Sequence, residues 1–183
     1  MKKFLLASVF SIVAATSALA DGLFYSNFAG QWQISGNPGD EVLNPSCSAN
    51  FHYNDGSEFR LIKDLDDDEL YIFFKNTDWN IRDTTGQVYN VRLNFLGSRG
   101  TVTGGTMPYV LLNKNSIHIR NISGKAFVPD FANLSRLQFV MPGTIQNTTI
   151  TLNSSNQAIN ALVECFNVAK ARGIKKIVKG TPL

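Results

Sequence analysis

A mainly β fold, an antiparallel β-sandwich or flattened barrel with one C-terminal α-helix packed on it, is predicted by three features of the sequence. Apolar and polar residues alternate with period two over many short runs. Turn residues separate those runs at short intervals, as in Asn54-Asp55-Gly56, Thr85-Gly86, Gly104-Gly105 and Pro142-Gly143. One stretch near the end changes to helical spacing, with Ile159, Leu162, Val163 and Phe166 on one stripe.

The elements follow in order. Met1 to Ala20 has the build of a secretory signal peptide. Lys2 and Lys3 precede a short apolar run, and Ala18-Leu19-Ala20 supplies a small-x-small cleavage site. The run is too short for a comfortable membrane span. The expected mature chain therefore starts at Asp21, with one domain over 21–173 and a basic tail over 174–183. Trp32 and Ile34 mark a strand over Gln31 to Ser35. Cys47, Ala49, Phe51 and Tyr53 face inward on the next, with Ser48, Asn50 and His52 outward. Glu58 to Lys63 and Leu70 to Asn76 form a hairpin around an acidic tip, Asp64 to Glu69.

Val88 to Phe95 alternates again, opposing Tyr89, Val91, Leu93 and Phe95 to Asn90, Arg92 and Asn94. Four further strands are expected at Tyr109–Leu112, Ser116–Asn121, Leu137–Met141 and Thr148–Leu152. Pro129 to Leu134 reads as one helical turn with Pro129 at its first position. The closing helix has Ser154 or Ser155 as its cap, a Ser154-x-x-Gln157 capping box, and Gly173 as its stop.

Cys47 and Cys165 are the two cysteines of the chain. Behind an export signal such a pair is expected to form a disulfide, the alternative being two buried thiols. The bridge would tie an early strand to the last helix. No Cys-x-x-Cys pair suggests redox catalysis.

The sequence has 17 basic and 14 acidic side chains, and two of the basic ones lie in the leader. The remainder is close to neutral, so nucleic acid is not an expected partner. The acidic run is read as a solvated turn rather than a site. An EF-hand loop starting at Asp64 would need glycine where Glu69 stands and a carboxylate where Lys75 stands. No nucleophile elbow, zinc helix or phosphate-cradling loop is present, so no catalytic residue, metal ligand or cofactor is assigned. His52 and His118 fall on polar strand faces. Asn121, Asn133, Asn147 and Asn153 match the glycosylation pattern, as expected by chance in an Asn-rich chain.

An early tryptophan, a Cys-x-Ala strand, a series of short strands and a cysteine on a final apolar helix look like small exported α-proteobacterial proteins. The segment from Thr149 to Leu162 resembles the closing strand and helix of the invasion-associated locus B family. The resemblance implies a β-rich protein of the cell envelope or host interface, and it carries over no catalytic residue.

The expected function is that of a non-enzymatic binding or accessory protein, periplasmic or secreted, with a protein or glycan partner. Asn90, Arg92, Asn94, His118 and Arg120 form the expected binding face, because planar donors and amides suit carboxylates or sugar hydroxyls. Lys170, Arg172, Lys175, Lys176 and Lys179 are expected to contact anionic envelope surfaces weakly. Two alternatives stand beside this reading. One is an envelope-polymer hydrolase using Asp40, Glu41, Asp78 or Asp83; the other is a self-associating structural protein.

Overall fold

The computed structural model of the chain describes residues 22–39, 44–65, 69–81, 86–141 and 147–175. The expected leader, the centre of the acidic run (66–68), the expected Pro142-Gly143 turn, Thr85, Asp40, Glu41, Asp83, Lys176 and Lys179 lie outside the described residues.

Within them, ten strands form one antiparallel sheet. They are β1 (Tyr25–Ala29), β2 (Trp32–Asn37), β3 (Ser46–His52), β4 (Glu58–Asp64), β5 (Glu69–Lys75), β6 (Val88–Gly97), β7 (Gly100–Asn113), β8 (Ser116–Ser123), β9 (Arg136–Val140) and β10 (Thr148–Thr151). Two helices complete the fold, α1 (Gly124–Asn133) and α2 (Ser155–Ala171). The mainly β expectation, with a C-terminal helix on the sheet, is what the chain adopts.

The first five strands run as a meander. The chain then crosses to β6 and returns through β7 and β8, so that β8 pairs with β5 and the order is β1-β2-β3-β4-β5-β8-β7-β6-β9-β10. Among the described residues the sheet does not close on itself through a backbone ladder. It rolls instead, because its inward side chains need an apolar partner. Ile34, Ala49, Phe59, Leu61, Ile72, Phe74, Leu93, Ile117, Ile119 and Phe139 are all within 2 % of complete burial. Phe127 and Phe131 of α1 plug the centre, and Phe131 meets Trp32 edge-on at 5.6 Å and stacks on Phe59 at 5.8 Å.

Helix α2 lies over β1, β2 and β3 and packs beside α1. Ala158, Ala161, Leu162, Cys165 and Ala169 face the core, small residues that let the helix approach closely. The expected bridge is formed: Cys47 and Cys165 are joined across 118 positions with an S–S distance of 2.01 Å. Gly173, at φ +67°, ends the helix as expected.

One strand is added to the expected set, and three local expectations are corrected. Strand β1 lacks a clear alternation, its centre being exposed, and it forms because Gly30 at φ +65° turns the chain back onto β2. Gly104-Gly105 is strand interior rather than turn; a Cβ at Gly104 would lie 2.6 Å from Asn94 Oδ1, so glycine permits a close approach across the β6–β7 pair. Pro129 sits inside α1 rather than at its first position, and burial of Phe127 and Phe131 on either side of it holds the longer helix. Ser154 caps α2 only through its backbone. Its φ is +58°, and its side chain makes no cap hydrogen bond, so no capping box exists.

Candidate functional site

An apolar cleft of about 270 Å³ opens where α1 and α2 diverge over β4 and β5. Its floor is Leu61 and Leu70, which the strand pleat turns inward. The helices supply Val128 on one side and Ile159, Leu162, Val163 and Phe166 on the other. Gly124, at the start of α1, leaves room on the β5 side. Val163 is 56 % exposed and adds apolar surface to the lip of the cleft. The volume falls just below the range of about 300–1,000 Å³ usual for small-molecule sites, so the cleft suits one slender chain.

Charge enters the cleft at one end. Lys63 follows Phe59 and Leu61 on the inward side of β4, an unusual place for an ammonium. Its Nζ lies 6.0 Å from the ring centroid of Phe166, and Lys170 Nζ lies 4.7 Å from the same ring. Both cations thus pack on one aromatic residue, Lys63 within the cleft lining and Lys170 beside it on α2, their stems laid along apolar surface. An apolar trough with a cationic rim complements an anionic amphiphile.

The expected binding face is divided by the strand order. β7 lies between β6 and β8, so Arg92 and Arg120 are not on neighbouring strands. Arg92 pairs across to Thr106 on one side and Val140 on the other, and its Nε donates to Asn94 Oδ1 at 3.0 Å. Asn94 is 8 % exposed, not open to solvent, and its amide donates in turn to Gln138 Oε1. His118 and Arg120 belong to a second group. Arg120 Nε donates to His118 Nδ1 at 3.4 Å, and the His118 ring lies 5.8 Å from that of Tyr71. Along the register, His118 stands between Val110 and Phe73, and Phe73 is opposite Arg60, whose guanidinium covers it at 5.1 Å. Burial lowers the His118 pKa from its ordinary value; Arg120 lowers it further, against the opposing pull of Asp64.

The remaining residues are dispersed. Arg172 Nη1 donates to the Phe24 carbonyl at 2.7 Å, fastening the end of α2 to the start of the sheet. Lys175 is exposed, and Ile174 N–H donates to the Ala169 carbonyl. Asp78 is exposed in the turn after β5. Among the described residues no group of three or more His, Cys, Asp or Glu is placed to hold a metal ion, and no helix is long and apolar enough to cross a membrane.

Sequence reasoning missed Lys63 and Phe166 as partners. A lysine at an inward strand position was the available signal, but it points to a cleft only once α2 is known to stop short of covering it. Comparison with protein families, curated proteins and solved structures finds no match for this chain.

Proposed function

We propose that this chain is an exported, non-enzymatic binding protein of the cell envelope or host interface, and that its cleft takes a single acyl chain bearing an anionic head. The observation that carries the reading is the convergence of Lys63 and Lys170 on Phe166 at one end of an otherwise apolar cleft. Burying the alkyl chain on Leu61, Leu70, Val128 and Leu162 supplies affinity, at about 0.8 kcal/mol per buried methylene. The two ammonium groups select the head. Export is supported by the leader-like N-terminus and by the disulfide, which persists in oxidising compartments. The likeness of Thr149–Leu162 to the invasion-associated locus B family supports an envelope setting.

The test is calorimetric titration of residues 21–183 with dodecanoate, dodecanol and dodecyltrimethylammonium. Dodecanoate is expected to bind tightest, and Lys63→Gln with Lys170→Gln to cost about tenfold, some 1.4 kcal/mol, for dodecanoate alone. Leu162→Trp should fill the cleft and abolish all binding. Equal affinity for the anionic and cationic amphiphiles, or no binding of either, would reject the proposal.

A further inference from the structure

The rolled sheet has a seam on the side away from the cleft, where β10 and the residues after it lie against the ends of β2, β3 and β5. No backbone ladder closes it. Side chains do: Trp32 Nε1 donates to the Asn153 carbonyl at 2.7 Å, Tyr53 OH to the Thr151 carbonyl at 3.2 Å, and Trp79 Nε1 to Thr148 Oγ1 at 2.9 Å. Asn76 Nδ2 reaches the same Thr148 oxygen at 3.4 Å. Between these struts are two hollows that share Tyr53 and Thr151, an inner one of about 110 Å³ and an outer one of about 240 Å³.

The inner hollow contains an anomaly. Ser57 is 3 % exposed, its Oγ has no hydrogen-bond partner, and it lines this hollow. A buried hydroxyl is rarely left without a partner; Ser116 Oγ shares this state, but only Ser57 lines a hollow. The surrounding groups are of one kind. Asn76 and Thr148 line the inner hollow with Asp55, whose Oδ1 accepts the Ser57 N–H at 2.8 Å. Gln31, His52 and Asn54 line the outer one. Among the described residues neither lining contains a lysine or arginine. Burial, then the Asp55 carboxylate, raises the Tyr53 pKa, so its phenol stays protonated and a donor at neutral pH.

From this we infer that the seam is a binding site for an uncharged saccharide. A sugar ring sits in the outer hollow against Tyr53, and one of its hydroxyls enters the inner hollow to bond Ser57 Oγ and Asn76. Sugar hydroxyls both donate and accept, which matches a lining of hydroxyls, carboxamides and one carboxylate. Tyr53, half-buried and backed by the buried Phe51 ring at 4.6 Å, offers the apolar surface that the C–H face of a pyranose needs. Among the described residues the polar groups of both linings are neutral apart from Asp55, which favours a neutral sugar over a sugar acid. The inner hollow exceeds the share of one water, about 30 Å³, several times over, so a hydroxymethyl arm fits where Ser57 waits.

This inference is independent of the amphiphile cleft, which lies on other residues. Its test is amide NMR titration of ¹⁵N-labelled residues 21–183 with chitotetraose, cellotetraose and maltotetraose, and with oligogalacturonate as the acidic comparison. At least one neutral tetrasaccharide is expected to bind with Kd of about 1 mM or tighter, shifting Ser57, Asn76 and Thr148 to Thr151 while leaving Val163 and Phe166 unmoved. Thr149→Glu, an exposed change on the rim of the inner hollow, should weaken binding at least about tenfold with the fold intact. Ser57→Val should do the same by removing the buried hydroxyl. Shifts caused only by oligogalacturonate, shifts away from the seam, or none at about 10 mM sugar would overturn the inference. The last result would mean that Ser57 bonds water alone.

Discussion

Phe74 on β5 stacks on Phe139 on β9, with ring centroids 4.4 Å apart and planes 8° apart, although β8, β7 and β6 lie between the two strands in the sheet. Adjacent strands are about 4.8 Å apart, so on a flat sheet these rings would be far beyond contact. The stack exists because the sheet rolls around its apolar face.

A double-mutant cycle measures that roll. Phe74→Leu and Phe139→Leu should couple by about 0.5–1.5 kcal/mol in urea denaturation, the usual worth of an aromatic pair beyond its burial. Additive effects would mean that the two sides of the sheet are not in contact in solution.

The Cys47–Cys165 bridge encloses 118 positions, for which the chain-entropy model gives about 4–5 kcal/mol. Replacing both cysteines by alanine should lower Tm by roughly 10 °C or more while the far-ultraviolet circular dichroism stays that of a β protein. Native and denatured samples without reductant should contain no free thiol. Two thiols per chain in both would refute the bridge.

His118 makes stability depend on pH. It faces Arg120 on its own strand, Tyr71 on β5 and Asp64 on β4. Its folded pKa lies below the ordinary 6.5, so the unfolded chain takes up the proton first as pH falls. Its contribution is therefore fully present above about pH 6.5 and is lost as pH drops through the folded value. Thermal melts at about pH 5 and about pH 7.5 should show the protein less stable in acid. His118→Gln should narrow that difference, and an unchanged difference would assign it to other groups.

Ser154 holds φ +58° at the start of α2 without a side-chain cap bond. A left-handed non-glycine residue costs about 1–2 kcal/mol, partly offset by the greater chain entropy glycine loses on folding. Ser154→Gly should stabilise by about 0.5–1 kcal/mol in urea denaturation. A loss of stability would instead credit the contact between Ser154 and the Gly30 turn, where a Cβ would meet Ser154 Cβ at 3.0 Å.

The sequence by itself determined the β class, nine of the strands in approximate position, the last helix and its Gly173 stop, and the choice of bridge partners. These are local properties: strand pleat and helical pitch write their periods directly into the order of apolar residues, and two cysteines allow only one intramolecular pair. Tertiary contact decided the rest. β1 has no pattern of its own and is held by its hairpin; β7 runs through Gly104 because Asn94 needs the space opposite; α1 outlasts Pro129 because Phe127 and Phe131 are buried. The candidate surfaces belong to this second kind. Alternation placed Arg92 and Arg120 on one side of their strands but could not show that β7 separates them. Lys63 and Phe166 meet across more than a hundred positions, and Ser57 and Thr148 line one hollow at a seam that exists only after the sheet has rolled. Periodicity tells which way a side chain faces; only the packing of strand against helix, and of one sheet edge against another, tells what it faces.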